Sequence, residues 1–440
     1  MALRTLVSAT AVAVIVAATL ASPASAGQNN GDGLWYFDLF DIQSFHDQGI
    51  DGSGVTIAMV DSPVNLEVPT LQGADITPHP PIACLAADGT KLPATSTDLA
   101  LAKHGTNVAS LLVGSGAGYP GETGVKGIAS GATLLTYAVY ATDACLSVNF
   151  SDPLAEAINS AVDDGADIIS VSIGTVGSER MNEAILNALR HDVIIVAALP
   201  NQDANIGFFT APFSYNGVAG IAALTPDGKP TTAVWGGESH DIETDLAAPG
   251  WDMLEQGTDA GGWEAQGLGG GTSYATPVAS GEIALAVQKY PEATHNQVLQ
   301  SLIHNTGSKA HELNFDTTGK FGYGIVDAIF LIAADPTQYE DVNPFIEEHS
   351  RMFQSTGDVG DDFIDDLGYG PTIALIAGAT ASPSASPTTG SNATATPGPV
   401  DQSTVTTSWL LIGGGVVLLL LVGAGIAAAV VSTRNKGEGA

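Results

Sequence analysis

Gly271-Thr272-Ser273-Tyr274-Ala275-Thr276-Pro277-Val278-Ala279-Ser280-Gly281 is the most informative segment of this 440-residue chain, and the rest of the sequence falls into place around it. It leaves a glycine run, Gly269-Gly270-Gly271, and enters an apolar segment, Ile283-Ala284-Leu285-Ala286-Val287. Glycine permits tight turns and close approach of another backbone. Thr272 and Ser273 are residue types that start helices. A serine there presents its hydroxyl on a turn, beside the free N–H groups and positive end of a helix dipole. That setting suits a nucleophile attacking a carbonyl, because the oxygen gains negative charge as the bond forms. A bare Gly-Thr-Ser is more often a capped core helix, so the reading needs a base and a group to orient it elsewhere in the chain.

Upstream, residues 55–60 (Val-Thr-Ile-Ala-Met-Val) are continuously β-branched or apolar, as in a strand buried on both faces, and end in Asp61. Residues 27–54 read as a short lead with an aromatic cluster, Leu34-Trp35-Tyr36-Phe37, and a turn at 51–54. The Pro/Thr-rich residues 62–98 read as an irregular excursion. A helical pattern starts at His104 and stops at Gly114. A strand is expected over 133–140, and a helix over 153–164 with proline in its first turn and Gly165 after its end. Strand 167–172, helix 179–191 and strand 193–198 follow. Beyond the serine, 273–290 and 295–305 read as helices, and 322–328 as the turn into a last helix that closes the domain near Asp335. This alternation predicts an α/β fold, a mostly parallel sheet with helices on both faces. In such sheets functional residues gather at the carboxyl ends of strands, where Asp61, Ser172 and Asn201 lie.

The string from Gly271 to Gly281 resembles the nucleophile motif of the subtilisin-like serine proteases, G-T-S-x-A-x-P-x-x-x-G. Met59-Val60-Asp61-Ser62 resembles that family's strand-end Asp motif, and His104-Gly105-Thr106-Asn107-Val108-Ala109 is close to its H-G-T-H-V-A. The order Asp, His, Ser is the one subtilisins use. The resemblance implies that Ser273 attacks a peptide carbonyl, His104 takes and returns the proton, and Asp61 orients His104. It implies an oxyanion hole of Asn201 and the Ser273 N–H, substrate pairing along Ser172-Ile173-Gly174, and a specificity pocket walled by Ala197 and Ala198. It implies a protein or peptide substrate and no required cofactor. Two departures stand out. Asp61-Ser62-Pro63 has proline where glycine is usual, and Ala198-Leu199-Pro200-Asn201 replaces A-G-N. Proline biases the preceding residue toward extended geometry, so the loop after Asp61 must differ and Asn201 is open to displacement.

The resemblance covers roughly residues 34–335, and the layout around it is similar to that of mycosins, the membrane-anchored proteases of type VII secretion systems. Residues 1–26 read as a secretory signal, with Arg4, an apolar run and Ala24-Ser25-Ala26 as the cleavage site. The peptidase domain with its lead is placed at 27–335, an acidic extension at 336–379 and a Ser/Thr/Pro/Ala-rich linker at 380–408. Residues 409–431 form an uncharged stretch of 23, enough for a transmembrane helix. Arg434 and Lys436 place the tail, 432–440, in the cytoplasm. The catalytic domain is therefore expected outside the cell membrane, held by lipid contact through one span and in reach of secretion-system membrane proteins. An oxidising compartment favours a Cys84–Cys145 disulfide, closing a loop of about 60 residues and typically contributing about 2–4 kcal/mol. Asp361, Asp362, Asp365 and Asp366 read as a solvated loop or a structural calcium site, the loop being favoured; no other metal site is expected. With 13 Lys+Arg against 47 Asp+Glu the net charge is −34, which disfavours nucleic acid as a partner. The alternative to a working protease is a subtilisin-fold scaffold that stabilises a membrane secretion complex, with slow or dispensable proteolysis.

Overall fold

In β1 (Thr56–Asp61), Ile57 and Met59 join one layer of core while Ala58 and Val60 join another. A strand with no wet face needs no polar alternation, which is why its sequence is a continuous apolar run. The computed structural model describes residues 31–80, 84–85, 93–139, 146–147, 152–201, 210–230, 243–307 and 313–346.

The central sheet adds β2 (Ile76–Pro78), β3 (Thr133–Ala138), β4 (Ile168–Val171), β5 (Ile194–Ala198), β6 (Val218–Leu224) and β7 (Leu246–Pro249). Its order is β7-β6-β5-β4-β1-β3-β2, with every neighbouring pair parallel. One face is covered by α4 (Pro153–Asp163) and α5 (Glu179–Arg190), the other by α3 (Leu99–Val113), α6 (Thr272–Lys289), α7 (His295–His304) and α8 (Ala328–Ala333). This is the three-layer α/β arrangement expected from the sequence. The expected strands and helices are present with ends within about two residues, the usual scatter of element boundaries, except at α3. That helix begins at Leu99, where the Asp98 side chain accepts from the Ala100 N–H. His104 therefore sits in the second turn of its helix and not at the start.

α6 is buried at every residue from Thr272 to Ala286. A helix surrounded by protein can be apolar on all sides, and this one runs through the core beneath the sheet. The lead is part of the domain. α1 (Trp35–Leu39) and α2 (Ile42–Asp47) bury Trp35, Tyr36, Phe37 and Ile42. Trp35 Nε1 donates to the Trp251 carbonyl at 2.9 Å, the Tyr36 hydroxyl to the Lys126 carbonyl, and the Leu254 N–H to the Gly33 carbonyl at 2.9 Å.

Several elements had no readable sequence signal. β2 lies inside the expected excursion, at the sheet edge where Pro78 is tolerated. β6, β7 and β9 (Gly262–Gly269) are rich in alanine and glycine, which carry little strand preference, and β9 pairs antiparallel with β8 (Met253–Thr258), whose Glu255, Gln256 and Gly257 break its apolar run. The domain also runs past the expected end at 335. Asn343 Nδ2 donates to the Gly217 carbonyl at 3.0 Å, and Phe345 is buried. Cys84 pairs with Ser147 in a short antiparallel ladder, while Cys145 lies outside the described residues. So do the expected signal (1–26), the four aspartates at 361–366, the linker, the span at 409–431 and the tail. Among the described residues, no helix is long and apolar enough to cross a membrane, and no group of three or more His, Cys, Asp or Glu could hold a metal ion.

Candidate active site

The chain leaves β1 toward β2 and β3 on one side of the sheet, then crosses to β4 on the other. Neighbouring strands whose connections diverge leave a crevice at their carboxyl ends. Asp61 ends β1, and Ser172 follows β4.

Asp61 is fully buried. Its Oδ1 accepts from the Ser62 N–H at 2.6 Å and bonds His104 Nδ1 at 2.8 Å. An ionised carboxylate can only accept, so Nδ1 carries the proton and Nε2 keeps its lone pair as a base. The His104 side chain remains 42% exposed, open to substrate. Burial pulls the imidazole pKa down, but the Asp61 charge, the Asp61 hydrogen bond and the charge of Glu255 outweigh it and hold the pKa above 6.5.

The register of β1 and α3 is set by close contact. The Gly105 N–H donates to Ser62 Oγ at 2.8 Å. A Cβ at Gly105 would lie 2.4 Å from the Ser62 carbonyl oxygen and 2.8 Å from that of Pro63. Ser62-Pro63 thus forms a flat seat on which α3 rests one residue after His104. The Pro63 departure leaves the Asp61–His104 pair assembled.

Ser273 lies in the first turn of α6, with Gly271 as the N-cap. Thr272 N–H donates to Asn201 Oδ1 at 2.9 Å, and the Tyr274 and Ala275 N–H groups bond the Gly271 carbonyl. The Ser273 N–H is left for a ligand among the described residues. Pro277 has no N–H to return to the Ser273 carbonyl four residues earlier. Asn201 is held by its oxygen on the Thr272 N–H, while the Thr272 hydroxyl donates to the Leu199 carbonyl at 2.5 Å and so ties the same loop to the serine turn. Its NH₂ is therefore the end available to a developing oxyanion, and the Pro200 departure does not pull it away from the serine. His104 and Tyr274 place their ring centres 6.1 Å apart, which brings α3 beside the serine turn. No hydrogen bond joins His104 to Ser273 among the described residues; such contacts are often long until substrate binds.

Ser172 is buried and its Oγ has no hydrogen-bond partner among the described residues, while Gly174 is exposed just beyond. Ile173 is half-buried between them. Ala198 ends β5 at 8% exposure. Ala197 is fully buried in the layer under α4 and α5, so it does not wall the crevice as expected. Sequence reasoning also missed the seat at Ser62, the Thr272 anchor and Glu255. Each acts through a partner remote in the chain. Together the groups supply a nucleophile, a base with its tautomer set, and two oxyanion donors, which is the equipment of acyl transfer.

The halolysin of Haloferax mediterranei is 31% identical over 316 residues, 70% of this chain and 53% of that protein. Fervidolysin of Fervidobacterium pennivorans is 29% identical over 318 residues, 68% of this chain and 44% of that protein. The chain thus spans about half the length of these curated relatives. The crystal structure of fervidolysin superposes with a TM-score of 0.55 at 25% identity, covering 71% of this chain and 47% of that one. MycP1 with its N-terminal propeptide removed gives 0.53 at 21%, covering 70% and 99%, a likeness of fold. The profile of the Subtilase family, Peptidase_S8, matches residues 52–324, which hold the Asp61–His104 pair, Asn201 and Ser273. On that match and this geometry, the chain belongs to the subtilase family.

Proposed function

We propose that the protein is a membrane-anchored, extracytoplasmic serine endopeptidase of the mycosin kind, working beside a type VII secretion system. The observation that carries the catalytic part is the 2.8 Å Asp61–His104 pair in one crevice with the Ser273 N–H and an Asn201 anchored to the same turn. In the reaction, Ser273 Oγ bonds to the peptide carbonyl carbon as His104 Nε2 takes its proton. Asn201 Nδ2 and the Ser273 N–H hold the oxyanion. His104 then returns the proton to the leaving amine as the C–N bond breaks, and water releases the acyl group by the same route. These steps use side chains and backbone alone, so no added cofactor is expected. The anchor and its orientation rest on residues 409–431 and on Arg434 and Lys436. The compartment rests on residues 1–26, and supports a Cys84–Cys145 disulfide.

The test uses the full-length chain in membranes, with Ser273→Ala beside it. A fluorophosphonate probe reacts with a serine only when its base and oxyanion donors work. Labelling and peptide hydrolysis by the native chain alone support the endopeptidase. A folded native chain that neither labels nor hydrolyses would instead support the scaffold. Removal of residues 409–431 is expected to release the protein into the medium.

A further inference from the structure

We propose that Lys103, Glu255 and Tyr274 form a positioning clamp that ties the helix of the base to the helix of the nucleophile and sets a carboxylate charge beside His104. The inference rests on the reading of His104 and Ser273 as base and nucleophile. Lys103 directly precedes His104 on α3, and Tyr274 directly follows Ser273 on α6. Glu255, from β8, holds both. Its Oε1 accepts from Lys103 Nζ at 2.6 Å and its Oε2 from the Tyr274 hydroxyl at 2.8 Å.

Three elements distant in the chain thus meet on one carboxylate, one residue from each catalytic group. Glu255 is 14% exposed and Tyr274 is 4% exposed, so water competes weakly for these bonds. Exposed ion pairs contribute little, but here the carboxylate is fixed at both oxygens. Gly269 on β9 makes the room, since a Cβ there would lie 2.1 Å from Glu255 Oε2. The glycine run before the nucleophile therefore admits the clamp as well as the turn.

The charged and titratable groups about His104 are Asp61 from β1, Tyr274 from α6 and Glu255 from β8, the last paired with Lys103 of the same helix as His104. Burial, then the charge of Glu255, holds the Tyr274 hydroxyl well above 10, so it remains a neutral donor. Glu255 favours the imidazolium, and Lys103, held on Glu255 Oε1 at 2.6 Å, offsets part of that charge.

The experiment measures kcat/KM against pH at low salt, where the acid limb reports ionisation of the free enzyme's base. Glu255→Gln is expected to move the limb down by about 0.5 pH unit, and Lys103→Met to move it up by about as much. Tyr274→Phe keeps the charge and leaves the limb in place. It is expected to lower kcat about tenfold with KM unchanged, because a small misplacement of the serine is costly. Glu255→Asp restores the limb but not kcat, the carboxylate being too short for both partners. Limb shifts of the same sign in the two charge variants, or none in folded protein, would overturn the clamp. Titrating the His104 imidazole by NMR in the same variants gives the same opposed shifts without turnover. A native protein that hydrolyses nothing would thus count against the proposed function while the clamp is still decided.

Discussion

Gly271→Ala is a one-methyl change expected to disable the oxyanion hole while leaving the base intact. Gly271 has φ 147° and ψ 175°, a region essentially confined to glycine, so alanine costs about 1–3 kcal/mol in backbone strain. The new Cβ would also lie 2.9 Å from Asn201 Oδ1 and 3.2 Å from Nδ2. Asn201 must then move, and with it the oxygen that satisfies the Thr272 N–H. Loss of a side-chain oxyanion donor costs about 10²–10³ in turnover, a magnitude measured on a subtilisin. The expected outcome is a kcat loss of that size with KM little changed. The melting temperature should fall by about 2–4 °C per kcal/mol of strain. Steady-state kinetics on a peptide substrate and a thermal melt measure both. Asn201→Ala should match the kcat loss without the full loss of stability. The double variant should be no slower than Asn201→Ala alone, because both changes remove one donor. Wild-type turnover in Gly271→Ala, or multiplicative losses in the double variant, would refute the reasoning.

Gly105→Ala drives a methyl into two backbone carbonyls of Ser62 and Pro63; overpacking of this kind costs about 1–3 kcal/mol, and melting and hydrolysis should fall together as α3 lifts from Asp61. Because the folded pKa of His104 lies above 6.5, the acid limb of kcat/KM should have its midpoint above 6.5. The His104–Asp61 contribution to stability should be full below the unfolded value and lost as pH rises through the folded one. Asp61→Asn should move that limb down and cut kcat by about 10⁴, the size found for the corresponding change in another serine protease fold. Glu282, fully buried in α6, is held well above 4.5 by burial and then by the Asp327 charge, and burial pushes Asp327 up to about 6. Its stabilising contribution is full below pH 4.5 and lost as pH rises, so Glu282→Gln should gain in melting temperature over wild type between pH 4 and pH 8.

How much of this was legible in the chain depends on the range of the force involved. β1, β4 and β5 were readable because burial on both faces demands an unbroken apolar run, and α4 because Pro153 and Gly165 mark its ends locally. Asp61, His104 and Ser273 were readable because the short strings around them serve the chemistry directly. Strands β6, β7 and β9 were not, since their alanines and glycines are chosen by what packs against them, and β8 mixes Glu255 and Gln256 into its run. Residues 62–98 hid the sheet-edge strand Ile76–Pro78, because three residues ending in proline carry no strand signal except at an edge. Local sequence carried the alternation of strands and helices, and the identity and order of the three side chains proposed for catalysis, Asp61, His104 and Ser273. It took the folded chain to show that Ser62 and Pro63 seat Gly105, that Thr272 anchors Asn201 despite Pro200, that Ala197 faces the core, and that Glu255 reaches both Lys103 and Tyr274. Those contacts join residues from 19 to 152 positions apart. Local propensity carries no information about them; close packing and the need to satisfy buried polar groups do.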